Sequence, residues 1–70
     1  MKKIIFIDHS EKRRKQRGYS NIEIEFAIER PHYRKNRKDG RVEVIGFINN
    51  KKIRIVYEEE ESYLKIITII

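Results

Sequence analysis

The chain has no cysteine and only three glycines among its 70 residues. Without cysteine, neither a disulfide framework nor a thiolate metal site can form, and an intracellular setting is the simplest expectation. The glycines, at positions 18, 40 and 46, are too scattered for a glycine-rich phosphate loop, and there is no cysteine nucleophile or serine-containing elbow motif. These absences exclude most classes of enzyme.

Long apolar runs are also lacking. No run approaches the ~20 residues that a membrane-spanning helix needs, and the apolar part of the first eight residues is too short for a secretory signal. We therefore expect a soluble, cytoplasmic protein without membrane contact. Residues 1–70 suffice for a single domain, close to the size at which a hydrophobic core alone barely stabilises a fold.

Metal ligands are few. The histidines are His9 and His32, and the acidic run from Glu58 to Glu61 has no partner residue at ligand spacing. Four adjacent glutamates cannot all point at one ion, so we expect no metal site. We expect no other cofactor either. The run is predicted to be a solvated hairpin tip that discourages pairing at a sheet edge.

Positive charge is abundant and unevenly placed. Residues 1–41 contain 13 Lys/Arg and 6 Asp/Glu, whereas residues 42–70 contain 4 and 5. The first part of the chain therefore has a net charge of +7 and the second part −1. Such a basic region binds phosphate backbones by counterion release without sequence specificity, and it equally suits an acidic protein partner.

The first predicted helix begins at Asp8 as its N-cap and ends at Gly18, which suits the left-handed position after a helix. It contains no apolar residue. At about 100° per residue, His9, Arg13 and Arg17 project from one face. These side chains either form a solvated face whose arginine stems lie on a sheet, or they bind an anion.

A second helix is predicted from Asn21 to about Glu29. Ser20 and Glu23 form a capping box before it, and Pro31 marks its end because the residue before a proline disfavours helical geometry. Its apolar residues cover a broad face that we expect to pack on a sheet. They are Ile22, Ile24, Phe26, Ala27 and Ile28.

Residues 30–41 form a predicted loop with six basic residues, one acidic residue and the turn-forming pair Asp39-Gly40. Rings interleaved with cations are typical of single-stranded RNA binding, in which the rings stack on bases and the cations hold phosphates. The alternative is a solvated connector with Tyr33 packed on the end of helix two. The predicted RNA-binding residues of the whole chain are Lys12, Arg14, His32, Tyr33, Arg34, Lys35, Arg37 and Lys38.

Alternation of apolar and polar residues predicts three strands in the last part of the chain, at residues 42–48, 51–58 and 63–70. The first two are joined by a tight turn, Asn49-Asn50, because asparagine tolerates positive φ. The last strand is apolar on both faces, which suits an inner position or an edge covered by a partner.

In the middle strand, alternation places Arg54 on the open face, opposite Ile53, Ile55 and Tyr57. Residues 2–7 are a further β-prone run. The predicted fold is therefore α+β in the order β-α-α-β-β-β, with four strands. Helix two packs on one face of an antiparallel sheet, and helix one lies at its margin.

This order of motifs resembles the domain-of-unknown-function family 4258 over nearly the whole chain. The matching positions are His9, Arg13, Arg17, Gly18, Pro31, Arg54 and Thr68. That family is similar to the RelE- and BrnT-like toxins, which are small ribonucleases or RNA-binding proteins of toxin–antitoxin pairs. The resemblance implies a RelE-like fold, an RNA partner such as ribosome-bound mRNA, and a cognate antitoxin protein, with no DNA contact on its own.

A ribonuclease can work without metal because RNA carries its own nucleophile, the 2′-hydroxyl. Histidine can transfer a proton near neutral pH, and guanidinium groups match phosphate oxygens. By resemblance, the first candidate catalytic residues are His9, Arg13, Arg17 and Arg54, with Lys65, Thr68 and Tyr57 behind them.

Structural roles are the alternatives for several of these residues. His9 would bond a strand carbonyl, Arg17 would contact its own helix end, Tyr57 would belong to the core and Thr68 would bond to backbone. The sequence thus predicts a toxin-type, metal-independent endoribonuclease. The alternative is a non-catalytic basic module that binds RNA or docks on a protein.

Overall fold

The structure, a computed structural model, describes residues 2–70. Two helices pack against one five-stranded sheet with the strand order β1-β5-β4-β3-β2. The elements are β1 Lys3–Phe6, α1 Asp8–Arg17, α2 Asn21–Glu29, β2 Tyr33–Asn36, β3 Val42–Ile48, β4 Lys51–Glu59 and β5 Tyr63–Ile69. The α+β class is confirmed. Neither helix has the length and apolar composition needed to cross a membrane.

The sheet has one strand more than predicted, and the missed strand is β2. It pairs antiparallel with β3, placing Tyr33 opposite Ile45 and Asn36 opposite Val42. All four side chains of β2 are exposed, so no apolar alternation marks it in the sequence. The strand is recognised instead by its backbone pairing with β3. The prediction of a loop throughout residues 30–41 was therefore wrong for Tyr33–Asn36.

The sheet is mixed, whereas an antiparallel sheet was predicted. β1 runs parallel to β5, with Ile4 opposite Leu64 and Phe6 opposite Ile66. β5 therefore lies between β1 and β4. Of the two predicted alternatives for β5, the inner position is confirmed. Helix α1 also packs on this strand.

Helix α1 is attached to the sheet by a buried serine. Ser10 is fully buried, and its hydroxyl donates to the Ile66 carbonyl at 2.7 Å and accepts the Ile7 N–H at 3.0 Å. Ile7 is the N-cap residue, so the prediction of Asp8 at this position was wrong. The predicted end at Gly18 is confirmed by its left-handed backbone, with φ of 74°.

Replacing Ser10 by alanine should lower the free energy of unfolding by about 1–3 kcal/mol, because a buried carbonyl and a helix-start N–H lose their partner. Urea denaturation of the whole chain measures this change. The matched control is Ser62→Ala, since Ser62 is exposed in the β4–β5 turn. Equal stability of the two variants would show that Ser10 does not hold α1 to the sheet.

Helix α2 has the predicted boundaries and the predicted capping box. The Ser20 hydroxyl accepts the Glu23 N–H at 3.1 Å, and the Glu23 carboxylate accepts the Ser20 N–H at 2.9 Å. Ile24, Ala27 and Ile28 are buried against the sheet. These three residues supply the contribution of α2 to the core.

Two apolar residues of α2 do not contribute to the core. Ile22 is 77% exposed and Phe26 is 53% exposed, so the prediction that both lie on the buried face was wrong. Each is two residues from Ile24, which is about 200° of helical rotation and places it on the opposite side of the helix. The buried face of α2 is therefore a narrow stripe.

Strands β3 and β4 form the predicted hairpin. Asn49 and Asn50 have φ of 52° and 68°, which confirms the tight turn. Ile53, Ile55 and Tyr57 are buried, with exposed fractions of 4% or less, as the alternation of β4 predicts. The opposite side of the strand, which we call the open face of the sheet, is only partly exposed, because Arg54 is half-buried and Val56 is 3% exposed.

A β-bulge in β5 decides which of its residues share the open face. Val56 pairs with Thr68, but Tyr57 pairs with Ile66, so Ile67 is an extra residue. Because of this insertion, Ile66 and Ile69 are both fully buried in the core although their spacing is odd. Thr68 lies beside Val56 on the face opposite the core.

Candidate functional site

One side of α1 carries a shallow cavity lined by cationic and polar side chains. His9, Lys12, Arg13 and Gln16 line it, and its volume is about 410 Å³. Their positions, i, i+3, i+4 and i+7, fall on one side of a helix. We call this site the α1 cavity.

The cations of the α1 cavity are available to a ligand. No ion pair among residues 2–70 involves His9, Lys12 or Arg13. His9 and Lys12 are exposed, and Arg13 is half-buried. An imidazole, an ammonium group and a guanidinium group therefore line one open depression. Within residues 2–70, no three His, Asp or Glu side chains come together as metal ligands.

The other two arginines of α1 that were singled out have different positions. Arg17 is exposed at the end of the helix and does not line the α1 cavity. Arg14 donates to the Glu11 carboxylate and to the Tyr19 carbonyl, each at 2.7 Å, and its guanidinium lies 5.4 Å from the centre of the Phe6 ring. Arg14 thus ties α1 to the domain, although it was predicted to bind RNA.

Arg54 and Lys65 lie on the open face of the sheet, where each has a carboxylate partner. Arg54 donates two hydrogen bonds to Glu43, at 2.8 and 3.1 Å. The Lys65 ammonium is 3.5 Å from Glu58, which also accepts a bond from Arg41 at 3.1 Å. Neighbouring strands therefore neutralise both cations. The acidic run from Glu58 to Glu61 was predicted to be a solvated hairpin tip. This prediction is only partly correct, because Glu58 and Glu59 belong to β4.

The structure does not join the helix candidates to the strand candidates. Arg54 lies in β4, whereas α1 contacts β5 and β1. Lys65 and Thr68 do lie in β5, but on its face opposite the core. Within residues 2–70, no side-chain hydrogen bond or ion pair links His9, Arg13 or Arg17 to a strand. The α1 cavity is therefore a separate site, and Arg54 with Glu43 forms a second charged group on the open face.

Hydrogen bonding from Arg54 lowers the pKa of the Glu43 carboxylate below its ordinary value of 4.5, and the charges of Arg54, Arg37 and Lys35 add to this effect. The hydrogen bond to Glu43 in turn raises the pKa of the Arg54 guanidinium. Hydrogen bonding from Arg41 likewise lowers the pKa of Glu58. Both carboxylates are thus held in their charged forms by cross-strand neighbours.

These lowered pKa values predict a loss of stability in acid. A carboxylate with a lowered folded-state pKa stabilises the fold above its unfolded pKa, and this contribution disappears as the pH falls through the folded value. The free energy of unfolding should therefore decrease as the pH falls below 4.5, the ordinary glutamate value. Denaturant titrations at a series of pH values measure the decrease.

The variant Glu43→Gln should be less stable than wild type at neutral pH and should lose less stability on acidification. Glu61→Gln is the matched control, because Glu61 is exposed and has no ion pair within residues 2–70. Stability profiles of Glu43→Gln and wild type that run parallel from pH 7 to acid would contradict the role of this pair.

The remaining RNA-binding candidates lie in and next to β2. Tyr33 is 49% exposed. Arg37 pairs with Asp39 at 3.2 Å, and the His32 ring packs edge-on against Phe47 with 4.9 Å between ring centres. The ion pairs of residues 2–70 leave out Arg34, Lys35 and Lys38. This edge can therefore present an aromatic ring and three cations.

The two basic regions lie at opposite edges of the sheet. Helix α1 contacts β1 and β5, whereas β2 is the edge strand at the other end of the order. Four strand spacings of about 4.8 Å separate these edges, or roughly 19 Å. The prediction of one basic face formed by α1 and residues 30–41 was therefore wrong.

Sequence reasoning found most of the α1 cavity but missed Gln16. The sequence does place Gln16 on the same side of the helix, because Gln16 follows His9 by seven residues and Arg13 by three. Lys12 was assigned to RNA binding rather than to the same group as His9. The structure brings both together in one cavity.

Comparison with known proteins identifies a family but no activity. The family described as "Domain of unknown function (DUF4258)" matches residues 6–70. Neither a curated protein nor a solved structure matches the chain. The resemblance to the family is therefore confirmed, whereas the RelE-like relation stays a prediction.

Proposed function

Since this chain belongs to the DUF4258 family of domains of unknown function, its own side chains must indicate its activity, and we propose that it binds RNA and cleaves it without a metal ion. The observation that supports this proposal is the α1 cavity, which His9, Lys12 and Arg13 line together and where none of them has an ion-pair partner within residues 2–70. A proton-transfer group beside two cations is what phosphodiester cleavage requires of a protein.

In the proposed reaction, Arg13 and Lys12 bind the oxygens of one RNA phosphate. His9 takes the proton of the adjacent 2′-hydroxyl, whose oxygen attacks phosphorus. The bond from phosphorus to the 5′-oxygen breaks, and that oxygen takes a proton from water. The products are a 2′,3′-cyclic phosphate end and a 5′-hydroxyl end.

The toxin role and its partners form part of this proposal. The resemblance to RelE- and BrnT-like toxins supports ribosome-bound mRNA as the substrate and a cognate antitoxin as the protein partner. The net charge of +7 in residues 1–41 supports attraction to both, because RNA and an acidic protein present the same sign of charge.

A second candidate function is non-catalytic RNA binding, or docking on an acidic protein, through the same basic residues of α1. It is favoured by the engagement of Arg54 with Glu43 and of Lys65 with Glu58, which leaves the α1 cavity without a strand residue. A binding module needs only a spread of positive charge, whereas an enzyme needs its groups to converge on one phosphate.

Incubating the purified protein with a mixed RNA substrate in EDTA tests the proposal. We expect cleavage products that carry 2′,3′-cyclic phosphate ends, because the proposed chemistry uses the 2′-hydroxyl and no metal. RNA that stays intact in EDTA and also on translating ribosomes would reject the enzyme and leave the binding module. Tight binding to an acidic protein without binding to RNA would indicate the docking function.

A further inference from the structure

The helix side of the sheet is uncovered at one end. Helix α2 ends at Glu29, and beyond it lies a cavity of about 280 Å³. Ile28, Leu64 and the ring of Tyr57 form apolar walls, and Glu29 and Arg34 line it from α2 and β2. This volume lies just below the ~300 Å³ at which pockets for drug-sized ligands begin, so it suits a single flat ring system. We call it the Tyr57 cavity.

The hydroxyl of Tyr57 lacks a partner. The residue is only 4% exposed, and no side-chain hydrogen bond within residues 2–70 reaches its hydroxyl. Every fully enclosed side-chain nitrogen or oxygen in these residues does have a partner. The Tyr57 hydroxyl therefore opens into the cavity, and burial raises its pKa, which keeps the proton available for donation.

Of the charged side chains that line the Tyr57 cavity, some form ion pairs within residues 2–70 and others do not. The Lys2 ammonium is 2.9 Å from Glu59 and donates to the Glu60 carbonyl at 2.7 Å. Arg34 and Glu29 take part in none of the ion pairs of residues 2–70. One guanidinium, one carboxylate and one hydroxyl thus remain for a ligand between apolar walls.

We propose that the Tyr57 cavity binds a guanine base. Arg34 would donate to the carbonyl and ring-nitrogen acceptors on one edge of the base, and the Glu29 carboxylate would accept the two neighbouring N–H groups of the other edge. Tyr57 would supply a further hydrogen bond, and Ile28 and Leu64 would pack on the ring. Single-stranded RNA is read in this way, through bases that leave the stack and enter a pocket.

The carboxylate of Glu29 favours guanine over the other bases. Adenine has a bare ring nitrogen where guanine carries an N–H, so a carboxylate at that edge meets an acceptor and is left without a partner. Uracil offers one N–H there instead of two. This inference rests on the proposed function in one respect, since it makes the cavity the part of the protein that selects a guanine in bound RNA.

Nuclear magnetic resonance titration of the full chain tests the inference. The probes are guanosine, adenosine and uridine 5′-monophosphates and short oligoribonucleotides, blocked at the 2′-oxygen, that contain or lack guanine. We expect the guanine probes to shift the amide signals of Arg34, Tyr57 and Leu64 and to bind at least about tenfold more tightly than the adenine probes. Unchanged signals at these residues, or equal affinity for adenine, would overturn the inference.

The two probe types separate this inference from the proposed function. Oligonucleotides that bind while no guanine probe shifts the cavity would overturn the guanine site and leave RNA binding intact. Guanosine monophosphate that occupies the cavity while every oligonucleotide fails to bind would support the base site and reject the proposed function.

Two conservative variants provide a sharper test. Tyr57→Phe and Glu29→Gln should each weaken guanosine monophosphate binding about tenfold, because each removes one hydrogen bond or one charge from the base edge. Their matched controls are Tyr63→Phe and Glu25→Gln, which do not line the cavity. Tyr57→Phe keeps the buried ring, so the fold is retained. Affinities equal to those of the controls would overturn the assignment.

Discussion

Replacing His9 by alanine should lower the rate of RNA cleavage by about 100-fold or more while leaving RNA affinity nearly unchanged. The reason is that general acid–base catalysis by a positioned side chain contributes about 10²–10⁴-fold, and His9 is the proton-transfer group of the α1 cavity. Cleavage under single-turnover conditions in EDTA, with binding measured separately, distinguishes the two effects.

The matched control is Lys15→Ala, because Lys15 is an exposed residue of α1 that does not line the cavity. Arg54→Ala is the informative contrast. If it lowers cleavage as much as His9→Ala does, the scissile phosphate binds on the open face of the sheet, and the α1 cavity is not the catalytic site. Equal cleavage by wild type and His9→Ala would retain the enzyme and remove His9 from its mechanism.

RNA affinity should fall steeply with salt, by roughly 10³–10⁴-fold for a tenfold rise in salt concentration. Neutralising ~4–6 phosphates of a single strand releases counterions and gives a logarithmic slope of about −3 to −4. Filter binding across a range of salt concentrations measures the slope. An RNA affinity that does not change with salt would show that the protein does not bind RNA through its phosphates.

The slope also shows which cations take part. Lys12→Ala and Arg13→Ala should each make it shallower by about 0.7, the value for one phosphate on a single strand. Lys51→Ala is the control, since Lys51 lies at the β3–β4 turn and does not line the α1 cavity. A slope that changes as much for Lys51→Ala as for Arg13→Ala would mean that charge acts without a defined site.

The parts of the fold that local interactions determine could be predicted from the sequence. Ser20 and Glu23 bond within one helical turn, so the start of α2 follows from neighbouring residues. The faces of β4 follow from simple alternation, and the burial of Ile55 and Tyr57 agrees with it. The Asn49-Asn50 turn likewise depends only on the backbone freedom of asparagine.

The parts that depend on distant residues could not be predicted. β2 has no buried side chain, so its existence depends on the unpaired edge of β3 rather than on its own composition. The parallel pairing of β1 with β5 joins segments about 60 residues apart, which no local pattern encodes. Ser10 is polar, and only its 2.7 Å bond to Ile66 reveals that it anchors a helix.

The same distinction applies to the candidate site. The helical spacing of His9 and Arg13 predicted that they share a side of α1, and they do. Arg54 was correctly placed on the open face, but its partner Glu43 comes from the neighbouring strand and depends on the register of the sheet. Sequence alone therefore identified the cations but not which of them are neutralised.

Mapping where RNA binds to the protein shows directly whether the α1 cavity holds an RNA phosphate. A 2′-O-methyl oligoribonucleotide, which lacks the free 2′-hydroxyl and cannot be cleaved by the proposed route, is titrated into the isotope-labelled protein. We expect the largest signal changes at His9, Lys12 and Arg13. Changes confined to Arg54, Lys65 and their neighbours on the open face, with the signals of α1 unmoved, would contradict this expectation.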